Sequence, residues 1–341
     1  MKTDIIIKSF NRPFYLHRCL ISIISNVNNY HHIYVLDDGT PEKYLKKIQE
    51  MFPQIIIKKS ENAKEKSTKI FNNQMVDGYK IPSELWKLTV ENASEYVVVI
   101  EDDVWFTNSI DLDAVTEEMN ILNVHLVKLG WQGNTKYLYN FKETKISENL
   151  ISQFSNRIFL ANENLMNLVL NNKYYLFSIF CRLGIMNNKT VKEYYNYLSI
   201  PMGLYRKDFW MYTWKDSKGK AREIDLVKNA VSWVNKNKKN QNLIARLSNE
   251  SLKTTYISSA TGSYRNHKAN FDVLKFNKIL NEKWYDSLLD PLDNYPLDIR
   301  QEYLSSFLNE YSQHSSLSPE SYLEWCTEFK NQFRRSGAQV D

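Results

Sequence analysis

Within the first hundred residues, four short β-branched runs alternate with segments of helical periodicity. "DIIIKSF" (4–10), "IYVLDD" (33–38), "QIIIKK" (54–59) and "YVVVI" (96–100) are short, apolar and rich in Ile and Val. Such runs read as strands buried on both faces. Leu16, Leu20, Ile23 and Val27 follow Pro13 at helical spacing, and proline suits a first helical turn. Thr40-Pro41 opens a second helix carrying Leu45 and Ile48. A polar helix is expected over about 64–77, and another, after the cap candidate Ser83, over about 84–93. The order β-α-β-α-β-α-β predicts an α/β fold: a mostly parallel sheet with helices on both faces.

The rest of the chain is less regular. "VHLVKLG" (124–130) reads as a strand, 162–198 as mostly helical and aromatic, and "LSIPMGLYR" (198–206) as a strand broken at Pro201. Val227, Ala230, Val231 and Val234 form a helical stripe after Asp225. "TTYIS" (254–258) reads as a last strand before the polar loop "SATGSYRNHK" (259–268), and from about 270 the chain is aromatic-rich helix and turn.

With 341 residues the chain suits one large domain or two modest ones. A net charge of +5 fits an anionic ligand or an anionic membrane surface and is too small to argue for nucleic acid. Cys19, Cys181 and Cys326 are isolated, with neither a metal knuckle nor a disulfide framework, which points to a reducing compartment. The N-terminal stretch lacks the apolar core and cleavage site of a signal peptide. The apolar patch "YYLFSIFCRLGI" (174–185) is interrupted by Arg182 and falls short of the roughly 20 residues that span a bilayer. The expected location is the cytoplasm of a bacterium, at the inner face of the cell membrane if the chain docks there.

In sheets of this kind ligands bind beyond the carboxyl ends of the strands. Three of those ends carry polar clusters: Ser9/Asn11/Arg12, Asp37/Asp38 and Glu101/Asp102/Asp103. In an extended segment Glu101 and Asp103 face one site while Asp102 faces another partner. Carboxylates are hard ligands for Mg²⁺ or Mn²⁺, and a divalent ion bridging a diphosphate would offset their repulsion. The plainer reading is a solvated acidic turn that ends a strand. Asp37 or Asp38 can accept a hydrogen bond from a nucleobase or ribose, or can cap the helix at Pro41, a role Thr40 could fill alone. The chain has no G-x-G-x-x-G after the first strand, no Walker-type loop, no H-E-x-x-H and no G-x-S-x-G.

"DIIIKSFNRPFYLHRCL", "IYVLDDGTPE" and "YVVVIEDDVWF", in that order, resemble the nucleotide-sugar-binding half of GT-A-fold glycosyltransferases of the family 2 type. "VVVIEDDVWF" is also similar to the E-D-D form of the D-x-D motif in N-acetylglucosaminyltransferase I-like enzymes. The resemblance covers about residues 4–130. It implies a GT-A (Rossmann-like) domain with a nucleotide-sugar half (1–130), an acceptor half (131–269) and a C-terminal helical extension (270–341). That extension could shape the acceptor site, dock to membrane or form a homodimer. Ser9, Asn11 and Arg12 match the loop that contacts the nucleotide, Asp37 and Asp38 the acids near base and ribose, and Asp102 the position that reaches the sugar or ribose. Asp103 matches the direct metal ligand, supported by Glu101, with Mn²⁺ or Mg²⁺ as cofactor. Asn62 matches the start of the segment after strand three. There the usual Asn-x-Gly is replaced by "ENAKEK" (61–66), so Lys64 or Lys66 either meets phosphate or is a solvated helix residue.

An inverting transferase also needs a base for the acceptor hydroxyl. "REIDLVKNA" (222–230) loosely resembles the family's motif, making Glu223 and Asp225 candidates with Asp208 behind them; the bland reading is a charged helix start. A late histidine completes the metal or phosphate site in several such enzymes, and His267 could hold that place, with Arg265 and Lys268 able to bind diphosphate; the plainer reading is a surface loop histidine. Trp131, Tyr205, Trp210, Tyr212 and Trp214 could stack on sugars, though most such aromatics are core. The resemblance implies transfer from a nucleotide diphosphate sugar, UDP-linked in preference to GDP-linked, to a glycan or lipid-linked glycan such as lipopolysaccharide or capsule. The alternatives are a nucleotide-sugar nucleotidyltransferase and a non-catalytic nucleotide- or sugar-binding protein.

Overall fold

The computed structural model describes residues 2–72, 74, 76–77, 80–133, 141–155, 158–200, 202–261 and 269–340. Among these, one sheet of nine strands forms the centre: β1 (Thr3–Ser9), β2 (Ile33–Asp37), β3 (Ile55–Lys59), β4 (Tyr96–Glu101), β5 (Leu126–Lys128), β6 (Lys142–Lys145), β7 (Leu150–Phe154), β8 (Met202–Arg206) and β9 (Ile244–Leu247). Their spatial order is β3-β2-β1-β4-β8-β5-β9-β7-β6. β3, β2, β1 and β4 are mutually parallel, β8 is antiparallel to both β4 and β5, and β9 is parallel to β5. With the antiparallel β7 and β6 at the far edge, all strands but β8 and β7 point the same way. The sheet therefore continues across position 130.

Both faces of β1, β2 and β4 are covered, which is why those runs are apolar without alternation, whereas β3 is the edge strand and leaves Ile56 37% exposed. Ile5, Ile7, Val35, Val98 and Ile100 enter one core; Ile6, Leu36, Val97 and Val99 enter the other. Helices α1 (Pro13–Asn26), α2 (Glu42–Met51), α3 (Ala63–Phe71), α4 (Ser83–Glu91) and α5 (Leu112–Leu122) connect this half. Beyond it come α6 (Glu163–Leu170), α7 (Leu176–Arg182), α8 (Asn188–Tyr194), α9 (Lys207–Trp214) and α10 (Glu223–Lys236). The C-terminal α11 (Val273–Tyr285), α12 (Gln301–Ser306) and α13 (Pro319–Ser336) bring Leu280, Trp284, Tyr322 and Trp325 into the same core as α1.

Some expectations move. The helix expected over 64–77 ends at Phe71, and α4 begins at Ser83 with Pro82 at the cap position. The last strand is Leu252–Thr254, not 254–258, and it pairs with Val104–Phe106 outside the central sheet. Just beyond that strand, the Thr255 N–H donates to the Asp103 carbonyl at 3.3 Å and its hydroxyl donates to Asp298 at 2.8 Å. No side chain caps α2; Thr40 instead accepts from the Asn11 N–H at 2.9 Å.

Candidate active site

Register brings the polar strand ends into one row. Lys8 lies beside Glu101 and Leu36, Ser9 beside Asp37, and Asp37 beside Lys59. The chain then turns at each end, and these turns enclose a cavity of about 240 Å³. Its walls include Lys8, Ser9, Arg12, Asp38, Lys66, Lys80, Trp86, Glu101 and Asp102, with apolar surface from Phe10, Leu36, Ile81 and Pro82.

Arg12 organises the acids. Its guanidinium donates to Asp102 at 2.7 Å and to Asp103 at 2.9 Å, and is itself buried. Asp102 is 2% exposed and also accepts from the Ser9 hydroxyl at 3.1 Å and the Phe10 N–H at 2.9 Å. Glu101 accepts from Lys8 at 2.8 Å, and Lys8 lies within 5.0 Å of the Trp86 ring centroid and 5.7 Å of that of Trp214. The repulsion among three adjacent carboxylates is thus offset by two cations of the chain itself. The compensation is incomplete. Burial pushes Asp102 up to about 6 despite Arg12, and raises Asp103 as well. Burial also acts on Glu101, but there Lys8 outweighs it and holds the group below the usual range. Burial alone would lower Arg12; Asp102 and Asp103 together raise it.

The two acids of β2 divide their work. Asp37 turns into the backbone and accepts from the Gly39 N–H at 3.0 Å and from Thr40. Burial pushes it up to about 7, against those hydrogen bonds. Gly39 has φ +138°, and a Cβ there would stand 2.6 Å from Lys66 Cβ, so only glycine lets α3 approach this turn. Asp38 faces the cavity, accepts from Ser60 Oγ at 2.6 Å and pairs with the buried Lys66. Lys64 is exposed.

Other predicted residues fall elsewhere. Asn11, in the left-handed region at φ 51°, is fully buried; its carbonyl and side-chain oxygens accept from Asn281, so it shapes the turn and does not line the cavity. Asn62 accepts from Lys80 at 3.1 Å, behind the wall. Asp208 lies at the opposite edge of the sheet: it follows Arg206, which is in register with Tyr96 at the start of β4. The five residue steps from Tyr96 to Glu101 amount to about 17 Å. Asp208 is held there by Arg206 at 2.7 Å. Glu223 and Asp225 begin α10, a few residues after Gly219, whose carbonyl accepts from the N–H of Ile81 in the cavity wall at 2.9 Å. Glu223 accepts from the Tyr195 hydroxyl at 3.1 Å, while Asp225 stands 3.9 Å from Lys228 and 3.7 Å from Arg222. Neither lines the cavity. Arg265, His267 and Lys268 lie outside the described residues. Of the aromatics, Tyr205, Trp210 and Trp214 are core.

Two participants escape a sequence reading. Lys8 is a single cation inside a buried strand, a signal easily taken for an edge residue. Lys80 comes from an irregular segment with no periodic pattern.

The donor set suits a divalent ion held by one or two carboxylates and completed by phosphate oxygens, the usual habit of Mg²⁺. Among the described residues the three acids do not form a converging trio of ligand atoms; Asp4, His31 and His32, at the other end of β1, do. Asp103 is not among the residues that line the cavity, and its carboxylate accepts from Arg12 at 2.9 Å.

No family model and no curated protein matches the sequence. Solved structures do. Residues 1–349 of S. aureus TarS in complex with UDP-GlcNAc align with a TM-score of 0.44 at 14% identity, over 99% of this chain and 82% of that one. The WbbM bifunctional glycosyltransferase gives a TM-score of 0.37 at 10% identity, over 95% and 51%. Glucosyl-3-phosphoglycerate synthase from Mycobacterium tuberculosis, in complex with Mn²⁺, UDP-glucose and phosphoglyceric acid, gives 0.30 at 13%, over 62% and 58%. Likenesses this distant assign to this chain neither ligand nor reaction.

Proposed function

We propose that the chain is a GT-A glycosyltransferase that takes a sugar from a nucleotide diphosphate donor, preferably UDP-linked, and passes it to a hydroxyl of a glycan or lipid-linked glycan with inversion. The observation that carries this reading is the row of Ser9, Asp38, Glu101 and Asp102 around one cavity at the carboxyl ends of three parallel strands, braced by Arg12 and Lys66. Apolar walls from Phe10, Leu36, Ile81 and Pro82 beside acids and lysines suit a base, a ribose and phosphates.

In this reading Asp38 accepts a hydrogen bond from the base or ribose, with Phe10 and Pro82 flanking it. Lys66 and Lys80 face the phosphates. Asp102, fixed by three donors, positions the Arg12 loop and faces the ribose or sugar. Asp103, assisted by Glu101, would hold Mn²⁺ or Mg²⁺, which when bound neutralises charge on the departing diphosphate. Glu223 or Asp225 takes the acceptor's proton as the hydroxyl attacks the anomeric carbon. Both stand in the first turn of α10, shortly after the segment that contacts Ile81 of the cavity wall, whereas Asp208 is too remote for this task.

The test is to incubate the protein with a panel of UDP- and GDP-sugars and Mn²⁺ and to measure nucleotide release. Slow UDP release that Asp103→Asn abolishes is the expected result. Tight binding with no turnover on any donor would instead make this a binding protein.

A further inference from the structure

The segment from Asn171 to Lys192 exposes five large apolar side chains. Inside it, Leu176, Phe177 and Phe180 pack against the core on the α9–α10 face of the sheet. On the outside, Tyr174 is 80% exposed, Tyr175 75%, Leu183 66%, Ile185 44% and Ile179 41%. Ile179 lies on the outer side of α7, and Tyr175 and Leu183 flank that helix at its two cap positions.

The backbone contributes to the exposure. Asn172, Tyr174 and Tyr175 all have positive φ, at 48°, 53° and 58°. For tyrosine that region is uncommon and strained, and both rings are exposed. Isolated exposed apolar residues need no explanation, but a contiguous cluster does.

Charge selects the occupant. From Asn164 to Lys192 the sequence contains no Asp or Glu, while Lys173, Arg182, Lys189 and Lys192 are all exposed. A protein–protein face would gain from complementary acids; a second copy of this same face would meet four like charges. Aromatic and aliphatic side chains ringed by cations match the boundary of an anionic bilayer, where tyrosines sit at headgroup depth and each lysine or arginine adds attraction. Among the described residues no helix is long and apolar enough to cross a membrane, so the contact is with its surface.

We infer that residues 173–185 are a docking surface for anionic lipid membranes, with Tyr174, Tyr175, Ile179, Leu183 and Ile185 entering the interface and Lys173, Arg182, Lys189 and Lys192 meeting the headgroups. The surface adjoins the start of α10, since Arg222 donates to Asn171 at 3.1 Å. Docking would hold that end of the molecule at the lipid surface. The inference does not depend on sugar transfer.

The test is sedimentation of the full chain with phosphatidylcholine vesicles, with and without phosphatidylglycerol. The chain should bind the anionic vesicles at least about tenfold more strongly, and raised salt should weaken that binding. Lys173→Glu with Arg182→Glu should remove the lipid selectivity. Tyr174→Ser with Leu183→Ser should lower binding about tenfold or more, each being a lost apolar anchor. Because these side chains are exposed, thermal melting should be unchanged in both variants. Equal binding to the two kinds of vesicle, or binding unaltered by either variant, overturns the inference. So does a dimer in vesicle-free solution that Tyr174→Ser with Leu183→Ser dissociates, which would give the face to a second copy.

Discussion

The acids on the donor side and the acids at the ends of α9 and α10 are the same chemistry in opposite settings. Asp102, Asp103 and Asp38 are held by buried cations drawn from distant parts of the chain, Arg12 and Lys66. Asp208, Glu223 and Asp225 are satisfied by close neighbours or by exposed partners: Arg206, Tyr195, Arg222 and Lys228. The first set is built into the fold before any ligand arrives. The second is free to move a proton or change partner without disturbing the core. Stability and function should therefore separate differently in the two regions.

The largest effect expected is at Arg12. Arg12→Ala leaves Asp102 and Asp103 buried with no cation between them, and breaking a buried pair from one side costs about 3–5 kcal/mol. Urea unfolding should show a loss of that size. A loss below about 1 kcal/mol, the range of exposed pairs, would erase the distinction between the two regions.

Next comes a purely functional contrast. Under the proposed reaction, Glu223→Gln or Asp225→Asn, whichever removes the base, should lower sugar transfer about 10²–10⁴-fold while leaving stability and donor hydrolysis nearly unchanged. Asp103→Asn should suppress both hydrolysis and transfer. If both helix-start variants transfer normally, the base lies elsewhere.

How much of this was legible beforehand differs by region for a physical reason. Ile5, Val35 and Val98 belong to strands covered on both faces, so burial is written directly into their composition. Pro13 and the acids at 37–38 and 101–103 mark the strand ends that face the cavity. The second half offers no such code. β9 and β7 enter the central sheet although "IARL" and "LISQF" show too few apolar residues to announce it. Their place is decided by pairing with β5 and with each other. Likewise no local pattern separates Asn11, turned toward Asn281, from Arg12, turned toward the acids; a single positive φ decides it.

A third expectation concerns pH. The native chain keeps the Asp37 proton up to about pH 7, because burial disfavours its charge, whereas an exposed aspartate releases it near 3.8. This group's contribution is therefore complete below the unfolded value and is lost as pH rises through 7. Between pH 5 and pH 7 the wild type should lose about 2 kcal/mol through Asp37. Asp37→Asn keeps an oxygen for the Gly39 and Thr40 N–H groups, so the difference between the two pH profiles isolates the carboxyl. Identical slopes would mean that Asp37 is ionised and that water or a cation reaches it.

The smallest effect is the most diagnostic of the comparison. Asp208 carries the same charge as Asp102 and is bonded as closely, to Arg206 at 2.7 Å, yet that pair is exposed and local. Solvent screens it, and the measured worth of such pairs is about 0–1 kcal/mol. Asp208→Asn should shift unfolding by no more than that. It should also leave donor hydrolysis and transfer unaltered, because Asp208 sits at the far edge of the sheet from the cavity. A large loss of activity with little loss of stability would mean that the acceptor reaches around the sheet to that edge, and the base would then have to be sought there.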